Sequence, residues 1–208
     1  NILTKYCIFT SENMLMVMRP YQITATERIL NRIEIANNYK KYGSIEGGGY
    51  IWHTTGSGKT MTSFKSAQLI AASKDADKVI FLMDRVELQT QSIKEYRAFA
   101  DDADDVQDTE DTITLISKLK SKDPANTLIV TSIQKMSNIK EDAHAKSRSR
   151  DLETMQSKRI VFIVDECHRS TFGDMLCTIK KTFPRALFFG FTGTPVFTEN
   201  QKNLNTTA

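Results

Sequence analysis

The chain has 208 residues, 40% of them hydrophobic and 25% charged, which is ordinary for a soluble globular protein and room for one large domain or two small ones. No apolar run reaches the roughly 18 residues that a membrane span needs, so no membrane role is expected and a cytoplasmic location is. The net charge of +3 is unevenly spread: residues 101–111 hold seven acids and no Lys or Arg, which leaves 28 basic against 18 acidic residues elsewhere and suits a polyanionic partner. The acidic block reads as a solvated loop. Cys7, Cys167 and Cys177 are odd in number and lack metal-ligand spacing, as expected of reduced thiols. The start, without Met or a signal-peptide pattern, reads as a fragment of a longer polypeptide.

Residues 1–18, with the run Met14–Met18, are expected to pack on a domain edge, and the main domain is expected to span 19–208. Pro20 stands where a helix starts, and Ile29, Leu30, Ile33 and Ala36 mark one face of a helix to about Lys40. Gln22, at its head, carries a carboxamide of the kind that pairs bidentately with adenine. Gly47–Gly49 reads as a turn into a strand at Tyr50–His53. Then come Thr54, Thr55, Gly56, Ser57, Gly58, Lys59 and Thr60, and a helix after them.

A strand, a glycine turn and a helix in that order form a phosphate cradle, with backbone N–H groups and the helix dipole aimed at the anion. Lys59 would reach the β and γ phosphates and the Thr60 hydroxyl a magnesium ion. The strict pattern wants glycine where this chain has His53.

Lys78–Met83, Leu128–Val130, Ile160–Val164 and Ala186–Phe191 are further apolar runs of strand length. Asp84 and Glu87 form a capping box for a helix with Val86, Ile93, Tyr96 and Phe99 on its buried side, and a short helix is expected over 113–120. Residues 140–158 read as a loop or exposed helix. Five apolar runs alternating with helical segments predict an α/β fold, a mostly parallel sheet with helices on both faces. Each polar motif directly follows a run, at the carboxyl edge where open α/β sheets bind ligands. Asp165 is the expected carboxylate partner for the magnesium, and Glu166 the expected base for an attacking water. His168 either couples this site to Thr192-Gly193-Thr194 or hydrogen-bonds within the core.

Arg-Pro-Tyr-Gln, Thr-Gly-Ser-Gly-Lys-Thr, Asp-Arg-x-Glu-Leu, Asp-Glu-Cys-His and Thr-Gly-Thr-Pro stand in the order of superfamily 2 helicases and translocases. The longer forms Tyr-Ile-Trp-His-Thr-Thr-Gly-Ser-Gly-Lys-Thr, Asp-Glu-Cys-His-Arg-Ser and Gly-Phe-Thr-Gly-Thr-Pro resemble the restriction (R) subunit of type I restriction-modification enzymes, from about Met18 to Pro195. The resemblance implies a RecA-like three-layer sandwich serving as the first lobe of an ATP-driven motor that moves double-stranded DNA, beside methyltransferase (M) and specificity (S) subunits.

It implies roles for single residues too. Gln22 would read adenine; Thr55, Gly56, Ser57, Gly58, Lys59 and Thr60 would hold ATP and magnesium; Asp165 and Glu166 would serve metal binding and hydrolysis. His168, Thr192, Gly193 and Thr194 would couple nucleotide state to DNA movement, and Arg85, Gln134 and Lys135 would lie on the DNA backbone. An endonuclease domain and a second lobe with an arginine finger, expected of the family, are not found in the sequence, so poor hydrolysis by these residues alone is expected. Another superfamily 2 helicase or remodelling motor, or a non-hydrolysing nucleotide- or DNA-binding module, are the alternative readings.

Overall fold

The computed structural model describes residues 5–10, 14–54, 56–83, 112–145, 149–165 and 172–193. Its frame is a five-stranded parallel sheet in the order β3-β7-β6-β4-β5, with β3 Gly49–Trp52, β4 Lys78–Met83, β5 Leu128–Ser132, β6 Ile160–Val164 and β7 Leu187–Thr192. All five expected runs are strands. They were legible because a strand covered on both faces needs apolar residues at odd and even positions alike.

Along β4 the alternation sorts residues into two cores. Val79, Phe81 and Met83 pack with Ile29, Ile33 and Ala36 of helix α1 (Pro20–Asn38) and with Phe64, Ala67 and Ile70 of α2 (Lys59–Ser73). Ile80 and Leu82 face α3 (Thr112–Lys120), α4 (Ile133–Ala145), α5 (Ser149–Gln156) and α6 (Phe172–Thr182) through Leu115, Met136, Met155 and Ile179. This is a helix–sheet–helix sandwich.

Several boundaries differ from expectation. Pro20 does open α1, but the helix stops at Asn38, with Tyr39 as its C-cap and Lys40 in the left-handed region at φ 54°. Gly47 closes a 3-10 turn, Ile45–Gly47, and Gly49 already belongs to β3. His53 falls just past the strand, though its N–H still donates to Thr192 O at 3.0 Å. Within 140–158 the chain is helical twice, in α4 and α5, and α5 is a core helix through Leu152 and Met155. The helix expected after Asp84, with its capping box, and the acidic block 101–111 lie outside the described residues.

Ahead of α1 a hairpin of β1 (Cys7–Phe9) and β2 (Leu15–Val17) leans on α2, with Tyr6, Ile8 and Met18 packed on Met61. Among the described residues, no helix is long and apolar enough to cross a membrane, and Cys7 and Cys177 are free thiols.

Candidate nucleotide site

Between β3 and α2 the backbone turns through Gly56 and Gly58, left-handed at φ 77° and 76°, where a side chain costs about 1–2 kcal/mol. Gly58 is also the N-cap of α2, and a Cβ there would stand 2.6 Å from Gln22 Nε2. Lys59 and Thr60 open α2, both half-buried, and so stand in the first turn of a helix N-terminus.

Gln22 comes to this loop from the first turn of α1 and is only 3% exposed. Its Oε1 accepts the Arg19 N–H at 2.8 Å, which closes the start of α1. Its Nε2 donates to Ser57 O at 3.1 Å and Gly58 O at 3.2 Å. A carboxamide nitrogen has two protons, and here both point at the loop. Beside it the Tyr21 hydroxyl donates to the same Ser57 O at 2.7 Å. Behind, a buried hydrogen bond of 2.9 Å between Thr26 and Ser66 locks α1 to α2.

His53 is buried next to the loop. Its ring stands edge-on to Tyr21 at 5.4 Å and to Phe191 at 6.5 Å. Burial, and after it the charge of Lys59, hold its pKa below the usual histidine value, so the ring is neutral at pH 7. Tyr21, His53, Gly56 and Ser57 line one end of a groove of about 1200 Å³ between α1 and the outer edge of β3.

Sheet order brings the other motifs alongside. β3 and β6 flank β7, so the glycine loop and Asp165 are two strand spacings apart, about 10 Å. Asp165 directly follows β6, 7% exposed, its N–H donating to Leu82 O at 3.1 Å. Thr192 ends β7 in register with Trp52 and is 2% exposed. Gly193 O accepts the Trp52 indole N–H at 3.2 Å. Gln22, Gly56, Ser57, Gly58, Lys59, Thr60, Asp165, Thr192 and Gly193 therefore share one end of the sheet.

Gln134 and Lys135 lie at the same end of the parallel sheet, but two strands beyond β6 and away from the glycine loop. They start α4 after β5, the far edge strand, where Ser132 Oγ caps the helix by accepting the Lys135 N–H at 3.2 Å. Thr55, Arg85, Glu166, His168 and Thr194 lie outside the described residues.

The Thr60 hydroxyl and the Asp165 carboxylate are the hard oxygen donors that magnesium takes, and magnesium needs only one or two of them besides phosphates and waters. No trio of His, Cys, Asp or Glu able to hold a metal ion stands together among the described residues. Tyr21 and His53 were not singled out as site residues from the sequence: they lie 32 positions apart, and no motif spacing joins an aromatic on α1 to a histidine past β3.

The family model for the SWI2/SNF2 ATPase matches residues 21–208. The chain is 44% identical over 203 residues to the type I restriction enzyme SsaAORF53P endonuclease subunit of Staphylococcus saprophyticus, covering 96% of this chain and 20% of that one. It is 45% identical over 184 residues to the C-terminal part of the putative type I restriction enzyme MpnIIP endonuclease subunit of Mycoplasma pneumoniae, covering 88% and 86%. The chain thus spans about a fifth of the length of the staphylococcal relative.

Among solved structures, the SWI2/SNF2 ATPase core of Sulfolobus solfataricus in complex with dsDNA superposes with a TM-score of 0.57 at 16% identity, over 94% of this chain and 35% of that one. A nuclease-deletion mutant of the type ISP restriction-modification enzyme LlaGI gives a TM-score of 0.55 at 18% identity, over 88% and 18%. These likenesses, with the five-stranded sheet, establish the RecA-like helicase fold. The chain belongs to the SWI2/SNF2 ATPase family and corresponds to the motor region of type I restriction enzyme endonuclease subunits.

Proposed function

We propose that residues 19–208 are the ATP-binding first motor lobe of a type I restriction R subunit, with residues 1–18 as an edge segment, and that the lobe powers translocation along double-stranded DNA before cleavage. The observation that carries this reading is the adjacency of three strand ends: the glycine loop with Lys59 and Thr60 after β3, Asp165 after β6, and Thr192 at the end of β7 between them. M and S subunits and DNA are its expected partners.

In this reading the N-terminus of α2 and the Lys59 ammonium bind the β and γ phosphates, which lowers the cost of charge on the leaving group. Thr60 and Asp165 would hold magnesium, which when bound would neutralise the phosphate oxygens further. Glu166 accepts the proton of the attacking water. Gln22 reads adenine, and because both of its amide protons are spent on the loop, base pairing draws at least one of them off Ser57 O or Gly58 O. Base recognition and loop seating are then linked. Thr192, bonded through its carbonyl to His53 N–H, carries changes at the loop into β7. Arg85, Gln134 and Lys135 follow the DNA backbone.

The test uses the full-length protein that carries this chain, with triplex displacement reporting translocation and phosphate release reporting turnover. Glu166→Gln is expected to lower both by about 100-fold or more. Unchanged turnover would remove Glu166 from the role of base. Strand separation in place of triplex displacement would instead favour a helicase.

A further inference from the structure

Each peptide unit is planar and trans, so its C=O and N–H point in opposite directions. Two donors on α1, the Tyr21 hydroxyl and Gln22 Nε2, hold Ser57 O against that helix. The Gly58 N–H therefore faces away from α1. Gln22 alone is an unsteady hold, because adenine competes for its protons. The Tyr21 hydroxyl has no part in base pairing, yet Tyr21 is 41% exposed and its ring needs something to fix it.

His53 is that fixture. It is 8% exposed, edge-on to Tyr21 at 5.4 Å with an interplanar angle of 87°, braced by Phe191, and tied through its own N–H to Thr192 O. Its Nδ1 is buried with no hydrogen-bond partner among the described residues, so bonding by that nitrogen is not what seats the ring; its edge contacts and its backbone are.

We propose that Tyr21 and His53 are a positioning pair for the phosphate cradle: Tyr21 turns the Ser57–Gly58 peptide so that its N–H meets the anion, and His53 acts through Tyr21 by fixing that ring. The inference rests on the reading that this loop binds a triphosphate, and it assigns to two residues outside the glycine motif the pre-setting of the motif's backbone.

Magnesium tripolyphosphate, which has no base, isolates the cradle from adenine recognition. Its binding to the full chain is measured by calorimetry for the wild type, Tyr21→Phe, His53→Ala, His53→Phe and the double variant Tyr21→Phe/His53→Ala, with Lys59→Ala as control. Tyr21→Phe loses one hydrogen bond and is expected to weaken binding about ten-fold at an unchanged thermal midpoint. His53→Ala is expected to weaken it similarly, His53→Phe, which keeps a ring, to stay within about two-fold, and the double variant to bind no more weakly than Tyr21→Phe. In the full-length protein the loss appears in KM for ATP with kcat little changed. Wild-type binding by Tyr21→Phe, equal weakness of His53→Phe and His53→Ala, or additive losses in the double variant would overturn the pairing. Binding that survives in Lys59→Ala would instead strike at the phosphate-loop reading, and the pair would fall with it.

Discussion

His53 makes the stability of the chain depend on pH in a direction set by its surroundings. Burial and the Lys59 charge lower its folded pKa below the ordinary value of 6.5, so the unfolded chain binds a proton that the folded chain refuses. The stability that the neutral ring contributes is present above about pH 6.5 and is lost as pH falls below it. Thermal unfolding between pH 7 and 5 should therefore fall more steeply for the wild type than for His53→Phe; parallel curves would contradict this. Gly58 is constrained twice, by φ 76° and by Gln22 Nε2 only 2.6 Å from an added Cβ. Gly58→Ala is expected to push Gln22 off the loop, to cost about 1–2 kcal/mol in urea unfolding, and to raise KM for ATP.

Among the elements, α3 is the clearest case of an end held by a distant residue. Lys158, in the turn before β6, donates to Leu119 O, Lys120 O and Ser121 O at 2.6, 2.8 and 2.8 Å, satisfying the last two carbonyls of that helix and the one just past it. Lys158→Met keeps the apolar stem and removes the donors, and it should lower unfolding free energy by about 1–2 kcal/mol by urea titration. Lys78, 2% exposed, has its pKa lowered to about 8, chiefly by burial and then by Lys158, and donates to Asn126 O.

The elements also show what can be read from sequence and what cannot. β4 and β6 were legible because both their faces are covered. The hairpin strands were not, since three residues each carry no period, and Phe9, Leu15 and Val17 stay exposed. α5 hid its burial behind a polar sequence in which only Leu152 and Met155 face the core. α6 was expected only as a helical segment between the last two runs, without bounds, although Met175, Leu176 and Ile179 have helical spacing. At the site, the glycine loop and Asp165 announce themselves by type and position. The hold of Gln22 and Tyr21 on Ser57 joins residues about 35 positions apart, and only packing of α1 on α2 creates it.

At the scale of the molecule, a parallel sheet with its strand ends aligned turns separate motifs into one site. In the proposed site, the loop after β3, Asp165 after β6 and Thr192 at the end of β7 come together because of the order β3-β7-β6. Trp52, the single tryptophan of the chain, is the last residue of β3, with its indole bonded to Gly193 O, and so reports on both the loop and the end of β7. Titration of the chain with magnesium ATP, followed by Trp52 fluorescence and by calorimetry, should give saturable binding in the wild type. Lys59→Ala should abolish that binding while melting at the same temperature as the wild type. Equal binding by Lys59→Ala and wild type, or none by either, would contradict a nucleotide site at this loop.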